Sequence, residues 1–394
     1  MADFSPAAAA RRAGLRLRSH LSALLSPRPA GRPTAGDGAG DGAGTGAVAG
    51  TGVRTGVRAG PAARWSRTGC PRTRPPRRGP APRTRVLILA ALLVPAVAAF
   101  LLLFVRGSFA FAFDRRLTLL GAMAVAAFCQ AVATVLFQTV TQNRLLTPSV
   151  MGFESVYTLM QTLMVFVFGG SVLAATDGLP KLLAQTALMV CFATVLFRWL
   201  FASRLGNLQV MLLVGVSLGL AFASLSTFLQ RLLSPSQYDV LSTRLYGRLS
   251  AADPTHLPLA LGVCAVVGVL VWRRRHRLDV LLLGRDTAAG LGIAYKAELT
   301  GALVLVSVLL ALSTALVGPM TFFGFVIATL AYQLAGTHRH AVVLPLAFLL
   351  GLLTLVTGQF VMEHVFYAAG MLTVVIEFLG GILFLVHLLR KGSL

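Results

Sequence analysis

What most constrains this chain is a succession of apolar runs, each near the length needed to cross a bilayer, that begins at Val86 and continues almost to the C-terminus. Val86 to Val105 is twenty residues without a charge. At about 1.5 Å per residue, a helix of that length crosses a hydrocarbon core of roughly 30 Å. Further runs are Leu117 to Val140, Ser155 to Thr176, Leu182 to Phe197, Leu208 to Gln230, Leu257 to Trp272, Leu299 to Val317, Pro319 to Ala335, Ala341 to Val361 and Met371 to Leu389. In lipid the backbone must satisfy its own hydrogen bonds, so each run is expected to be a helix. Leu257–Trp272 and Pro319–Ala335 are short for full crossings, and one of them is expected to be a partial helix buried against its neighbours, leaving nine or ten complete spans. Only 12% of residues are charged, about half the roughly 25% of soluble domains. A soluble fold is excluded. The fold class is an all-α polytopic membrane protein with about ten transmembrane helices.

The formal net charge of +22 is uneven. Residues 1 to 85 hold sixteen Arg and three Asp, and the rest of the chain carries the remaining +9. Between Gly31 and Pro82 the composition is Gly, Ala, Pro, Thr and Arg, with a near-repeat of Thr51-Gly-Val-Arg54 in Thr55-Gly-Val-Arg58. Such a segment cannot bury enough apolar surface to offset chain entropy. Residues 1–84 are therefore expected to be a disordered basic cytoplasmic tail preceding the transmembrane domain, 85–394. Leu15, Leu17, Leu21, Leu24 and Leu25 among Arg11, Arg12, Arg16 and Arg18 leave room for a short basic helix on anionic lipid. The run Leu21–Leu25 is too short for a signal peptide. With no aromatic interleaved among the tail's arginines apart from Trp65, no nucleic-acid partner is expected.

Orientation follows from the short loops. With the N-terminus inside, the inner loops and C-terminal tail collect twelve basic residues, among them Arg144, Arg273, Arg274, Arg275, Arg277, Lys296 and Arg339. The outer loops collect seven, among them Arg106, Arg115, Arg116 and Lys181. The positive-inside rule then places both termini in the cytoplasm.

No G-x-x-x-x-G-K-[ST] run exists, so the chain has no ATP site of that kind. Cys70, Cys129, Cys191 and Cys264 have no C-x-x-C spacing and read as small buried hydrophobes. His338-Arg339-His340 has no carboxylate near it in sequence and reads as a positive-inside anchor; no metal site is expected. Glu377, in the last span beside Gly380-Gly381, is the leading intramembrane ionisable residue. It serves either a substrate or proton path or a hydrogen-bonded helix interface. Gln130, Gln138 and Gln161 are candidates for a polar path or for bonds between helices. Glu154 and Glu298, near inner span ends, are expected to be solvated. Gly215-x-x-x-Gly219 reads as helix packing.

The stretch between the sixth and seventh spans is the most informative. Arg273-Arg-Arg-His-Arg277 precedes an amphiphilic segment, 278–293, too polar to span and too apolar for a free loop. It is suited to dock something cytoplasmic. Leu283-Gly284-Arg285-Asp286-Thr287-Ala288-Ala289-Gly290-Leu291-Gly292 resembles the L-G-x-x-x-A-x-x-L-G coupling segment of iron-siderophore importer permeases, the FecCD-type family that includes the cobalamin importer permease. Asn143-Arg144-Leu-Leu-Thr-Pro148-Ser-Val-Met-Gly152 resembles the family's N-P-L-x-x-P-x-x-x-G loop, with Arg144 where Pro is usual. Gly318-Pro319-Met-Thr-Phe-Phe-Gly324 resembles its G-P-I-x-F-x-G turn, and Gly380-Gly381 its glycine pair. Ala328-Thr329 stands where the family has P-H. The form is most like the second permease of two-permease ferric siderophore systems, and the likeness spans residues 85–394.

The resemblance implies a type II ABC importer permease architecture. The chain itself would bind no cofactor, with ATP and Mg on a partner ATPase. It implies as partners a cytoplasmic P-loop ATPase dimer, a second permease chain (sister or identical), a substrate-binding lipoprotein or periplasmic protein, and a ferric siderophore as cargo, in the cytoplasmic membrane of a bacterium. Leu283, Gly284, Arg285, Asp286, Ala288, Gly290, Leu291 and Gly292 would form the joint to the ATPase. Arg115 and Arg116 would meet carboxylates of the binding protein, although Leu119 stands where the family often has a second Arg. Two other classes are open on the residues alone: a proton-coupled secondary transporter using Glu377, and a membrane scaffold without transport.

Overall fold

Helices occupy the apolar runs, as backbone satisfaction in lipid requires. The computed structural model describes residues 82–103, 108–144, 146–149, 152–169, 178–202, 208–245, 254–366 and 372–391. The Leu15–Leu25 segment and the rest of the tail up to residue 81 lie outside them. Among the described residues the regular elements are all helical. They are α1 (Pro82–Leu102), α2 (Phe109–Thr141), α3 (Phe153–Phe168), α4 (Leu179–Ala202), α5 (Leu208–Arg231), α6 (Pro235–Leu245), α7 (Leu257–Leu281), α8 (Arg285–Gly290), α9 (Tyr295–Val317), α10 (Phe323–Ala335), α11 (His340–His364) and α12 (Leu372–Lys391). A 3-10 turn, Pro254–His256, precedes α7. Six helices are long and apolar enough to cross a membrane, and four shorter apolar ones, in α3, α4, α10 and α12, complete the ten.

Two boundaries differ from expectation, each for a local reason. Helix α2 begins at Phe109, not Leu117, because Ser108 caps it by accepting the Phe111 N–H at 3.4 Å. Arg115 and Arg116 therefore lie within a helix. Helix α7 continues through the Arg273–Arg277 run to Leu281, since long Arg stems carry their charge away from the helix axis. It is a full span. Of the two short runs, only Pro319–Ala335 yields a partial helix: α10 has 13 residues, about 20 Å of rise. The turn 318–322 joins it to α9.

The core is built around α2, 33 residues long, about 50 Å. It packs against α7, α9, α10 and α11. Its buried face mixes Ala122, Ala126, Ala127, Ala131 and Ala133 with Met123, Leu136 and Phe137. The alanines let neighbouring backbones come close: a Cβ on Gly351 of α11 would stand 3.3 Å from that of Ala127. On its flanks α3 packs on α5, α4 on α9 and α12 on α10. Arg85 of α1 donates to the Leu334 carbonyl, satisfying the last turn of α10.

Candidate coupling and translocation site

Helix α7 ends in a turn at Leu282–Gly284, and Gly284 (φ 95°) starts the short helix α8 in a conformation that L side chains avoid. At its far end Ile293 N–H donates to Ala288 O at 3.0 Å and Gly292 N–H to Ala289 O at 3.0 Å, closing the helix with Gly292 at φ 79°. Ala288 is fully buried and pins α8 to the protein. Leu283, Arg285, Asp286, Gly290, Leu291 and Gly292 all face outward. Leu283 and Leu291 are 59% and 61% exposed, two large apolar groups on either side of a charged pair. A Cβ on Gly290 would meet nothing within 4 Å. This is a rigid, outward-facing knob.

Its base is tied down by polar groups from four segments. Gln142, in the left-handed region at φ 50°, donates from Nε2 to Leu281 O at 3.2 Å. Gln138 Nε2 donates to Arg144 O at 2.8 Å, and Arg144 stacks on the Tyr332 ring at 4.7 Å while donating to His338 Nδ1 at 2.8 Å. Asp279 Oδ1 accepts from the His340 backbone N–H at 2.8 Å and meets His340 Nδ1 at 2.6 Å, and Thr139 Oγ1 meets His340 Nε2 at 2.8 Å. His340, expected to be a loop anchor, is instead a buried cross-link. Glu298 also differs from expectation. It is buried, with Arg277 Nη1 at 2.6 Å and Arg274 Nη1 at 3.9 Å, because its turn of α9 packs under the Arg-bearing end of α7. None of these long-range pairs leaves a spacing signal. The one available clue was a lone carboxylate opening an apolar span just after an Arg run.

The second constellation surrounds the turn at 318–322. Gly318 (φ 95°) and Pro319 end α9 and turn the chain into α10. A Cβ on Gly324 would stand 2.2 Å from Thr134 Oγ1 and 3.1 Å from Gln130 O, so only glycine lets α10 lie on α2. A Cβ on Gly380 would stand 2.6 Å from Phe322 Cβ, and one on Gly381 would lie against the ring of the same residue. After the buried turn at Pro148, Gly152 (φ 91°) lies 2.7 Å by its absent Cβ from Gly219 Cα, which makes Gly215-x-x-x-Gly219 a packing surface. Thr321 joins two carboxylates in this turn: its Oγ1 donates to Glu154 Oε2, and its N–H donates to Glu377 Oε1 at 3.4 Å. Glu154, expected to be solvated, is half-buried and accepts from Thr321. Thr321, which brings the pair together, carries no sequence signal.

The glutamines separate. Gln130 donates to Ser313 Oγ at 3.3 Å between α2 and α9, and Gln138 belongs to the base of the knob. Gln161 is buried in α3, near a polar link in which Thr162 and Ser226 meet at 3.0 Å. The structure does not assemble them into one file. Arg116 also departs from expectation. It is 7% exposed, and its Nη1 donates to the carbonyls of Phe100 at 2.9 Å and Leu103 at 2.7 Å, capping α1. Glu363 Oε1 stands 3.9 Å from its Nη2. Arg115 alone of the pair is exposed. Cys129 and Cys264 are buried side by side at 3.5 Å, whereas Cys191 is exposed. Among the described residues no group of three or more His, Cys, Asp or Glu is placed to hold a metal.

With this geometry in view, the sequence matches the FecCD transport family over residues 84–390. It is 44% identical over 280 residues to the petrobactin import system permease protein FatC of Bacillus anthracis, covering 71% of this chain and 79% of that protein. It is 34% identical over 309 residues to the petrobactin import system permease protein YclO of Bacillus subtilis, covering 78% of this chain and 98% of that one. A solved metal-chelate type ABC transporter in an inward-facing conformation superposes with a TM-score of 0.67 at 20% identity, covering 79% of this chain and all of that one. That likeness establishes the fold.

Proposed function

The chain belongs to the FecCD transport family, and on that premise we propose that it is the membrane-spanning permease subunit of a binding-protein-dependent ABC importer that carries a ferric siderophore into the cytoplasm, with ATP hydrolysed on a separate subunit. The cargo reading is supported by relatives named for petrobactin import and for ferric enterobactin transport. These relatives also favour an ATP-driven importer over a proton-coupled carrier. The inner membrane of a bacterium, with both termini and α8 on the cytoplasmic side, accords with the basic residues gathered at that end.

The observation that carries the mechanism is the outward-facing α8. Its exposed Leu283 and Leu291 flank Arg285 and Asp286 on a helix held by Gln142 and by the Asp279–His340 cross-link. A surface of that kind passes movement from a partner into α7 and α9, which it joins. Closure of two ATPase subunits on ATP would push on α8 of each permease chain, sister or identical, and rock the two bundles so that the path between them opens to alternate sides. On the opposite face Arg115 is the candidate contact for the binding protein, with Arg116 fixing the end of α1 beside it.

The test is copurification from gently solubilised membranes, followed by uptake of an iron-loaded chelate in reconstituted vesicles. Wild-type chain should bring down a P-loop ATPase and a second permease. An Asp286→Arg, Gly290→Trp variant should fold, because neither side chain packs inside this chain, yet lose the ATPase and uptake. Retention of the ATPase by that variant would sink the α8 assignment. Arg115→Ala should weaken binding-protein docking in a salt-dependent way.

A further inference from the structure

Where α7 and α9 diverge beside α8, a cavity of about 570 Å³ opens on the flank of the bundle, lined by Leu270, Arg274, Lys296, Ala297, Gly301 and Leu305 among others. Two stripes make it. On α9, Ala297, Gly301 and Leu305 follow one another at four-residue steps, with Lys296 at the edge; on α7, Leu270 and Arg274 do the same. The small residues Ala297 and Gly301 hollow the floor, and a Cβ at Gly301 would already stand 3.1 Å from Arg274 Nη1. Walls and floor are apolar towards the membrane centre. The cations stand at the other end, where α7 and α9 approach α8.

Charge in this corner is unbalanced. Glu298 lies inward of the groove and is engaged by Arg277 at 2.6 Å, so Arg274, at 3.9 Å from the same carboxylate, is only loosely neutralised. Lys296 is exposed and makes no ion pair among the described residues. Thr300, also in the lining, donates its hydroxyl to Lys296 O at 2.8 Å, which leaves the two cations as the donors available to an incoming group. An apolar slot running along two membrane helices and ending in an unpaired Lys and a half-free Arg matches one kind of molecule: acyl chains below, a phosphate diester above.

We propose that this groove is a binding site for an anionic phospholipid of the leaflet on the α8 side, its acyl chain along Leu270 and Leu305 and its phosphate between Arg274 and Lys296. The site joins the two helices that carry α8, so an occupied groove braces the joint through which that segment moves the bundle. The choice of leaflet rests on the orientation proposed above. The site itself does not, because it can be tested in symmetric bilayers.

The test uses the full chain, in its purified complex, in nanodiscs of phosphatidylcholine containing a small fraction of a photoactivatable phosphatidylglycerol, with labelled peptides mapped by mass spectrometry. Labelling should concentrate on peptides containing Leu270 or 297–305 and should exceed that from a photoactivatable phosphatidylcholine at equal mole fraction. Arg274→Gln with Lys296→Gln should reduce it by roughly tenfold or more, given about a factor of five to ten per cation near the surface. Gly301→Leu, which keeps both charges but fills the floor, should reduce it as well, whereas Arg339→Gln, a cation at the same end outside the groove, should leave it unchanged. Equal labelling by the two lipids, or labelling that ignores both groove variants, overturns the proposal. A Lys296 crosslink to the ATPase subunit in place of lipid label assigns the groove to that partner and overturns it too. Loss of ATPase copurification with α8 variants, by contrast, bears on the transport reading and leaves lipid labelling intact.

Discussion

The knob at α8 and the turn at 318–322 both depend on glycines, and they use them in opposite ways. At α8, Gly284 and Gly292 shape a short helix whose side chains face away from the protein, and Gly290 has open space around it. At the turn, Gly324 and Gly380 remove atoms so that Thr134 and Phe322 can lie where a Cβ would be. Polar chemistry divides the same way. The base of the knob is held by charged and amide groups tied across segments, several of them exposed to competing water. The turn holds two half-buried carboxylates on one threonine. One region presents its side chains outward and the other holds helices together.

Equivalent substitutions at the two glycines give the largest separation. Gly324→Leu forces a side chain into Thr134 and the Gln130 carbonyl, an overpacking of several kcal/mol in a site with no room to relax; little monodisperse protein should be recovered by gel filtration. Gly290→Leu should be recovered at wild-type yield and melt like wild type, while losing ATPase activity in the assembled complex. Equal yields for the two variants would break the comparison.

The carboxylates give a smaller, graded effect. Glu154→Leu removes the acceptor of the Thr321 hydroxyl and should cost about 1–3 kcal/mol, read as a lower melting temperature in detergent. Glu154→Gln keeps an acceptor and should recover most of it. If Leu and Gln behave alike, the Thr321 bond contributes nothing. At the knob's base, Glu298→Gln faces an Arg277 side chain that is 63% exposed, so solvent takes over much of the lost interaction. A fall of about 1 kcal/mol or less, shrinking as salt is added, is expected. Arg144→Pro, which installs the residue usual in the family at this loop position, should be the mildest change. It removes the stack on Tyr332 and the exposed bond to His338, about 1 kcal/mol together, and a shift larger than that of Glu154→Leu would reverse the ranking of the two regions.

Most of the fold was legible because lipid imposes it: apolar runs near span length must be helices, and ten such runs were visible. The knob was legible for a different reason, since a stretch of alternating apolar, charged and glycine residues fits neither lipid nor free solution. What could not be read are contacts between residues far apart in the chain. Asp279 with His340, Arg277 with Glu298 and Thr321 with Glu154 depend on how helices are brought together, and no spacing encodes that. Arg116 misled for a related reason. A pair of arginines at a helix start looks like a charged surface, but the exposed carbonyls at the end of α1 claim the second of them. Boundaries failed where polar residues continue a helix, as at Arg273–Leu281, because charge ends an apolar run without ending a helix.

The burial of α2 has a consequence for how such a permease can diverge. A helix enclosed by α7, α9, α10 and α11 gives almost every substitution along it several neighbours to satisfy at once, so variation there is accepted only in concert. Helices α3, α5 and α12 have fewer such obligations, and their outer faces can change one residue at a time. A lineage that adapts to a new cargo or a new sister chain should therefore accumulate its differences on that flank and keep α2 as a fixed axis. Comparing substitution rates of the two sets of helices among related permeases would show it.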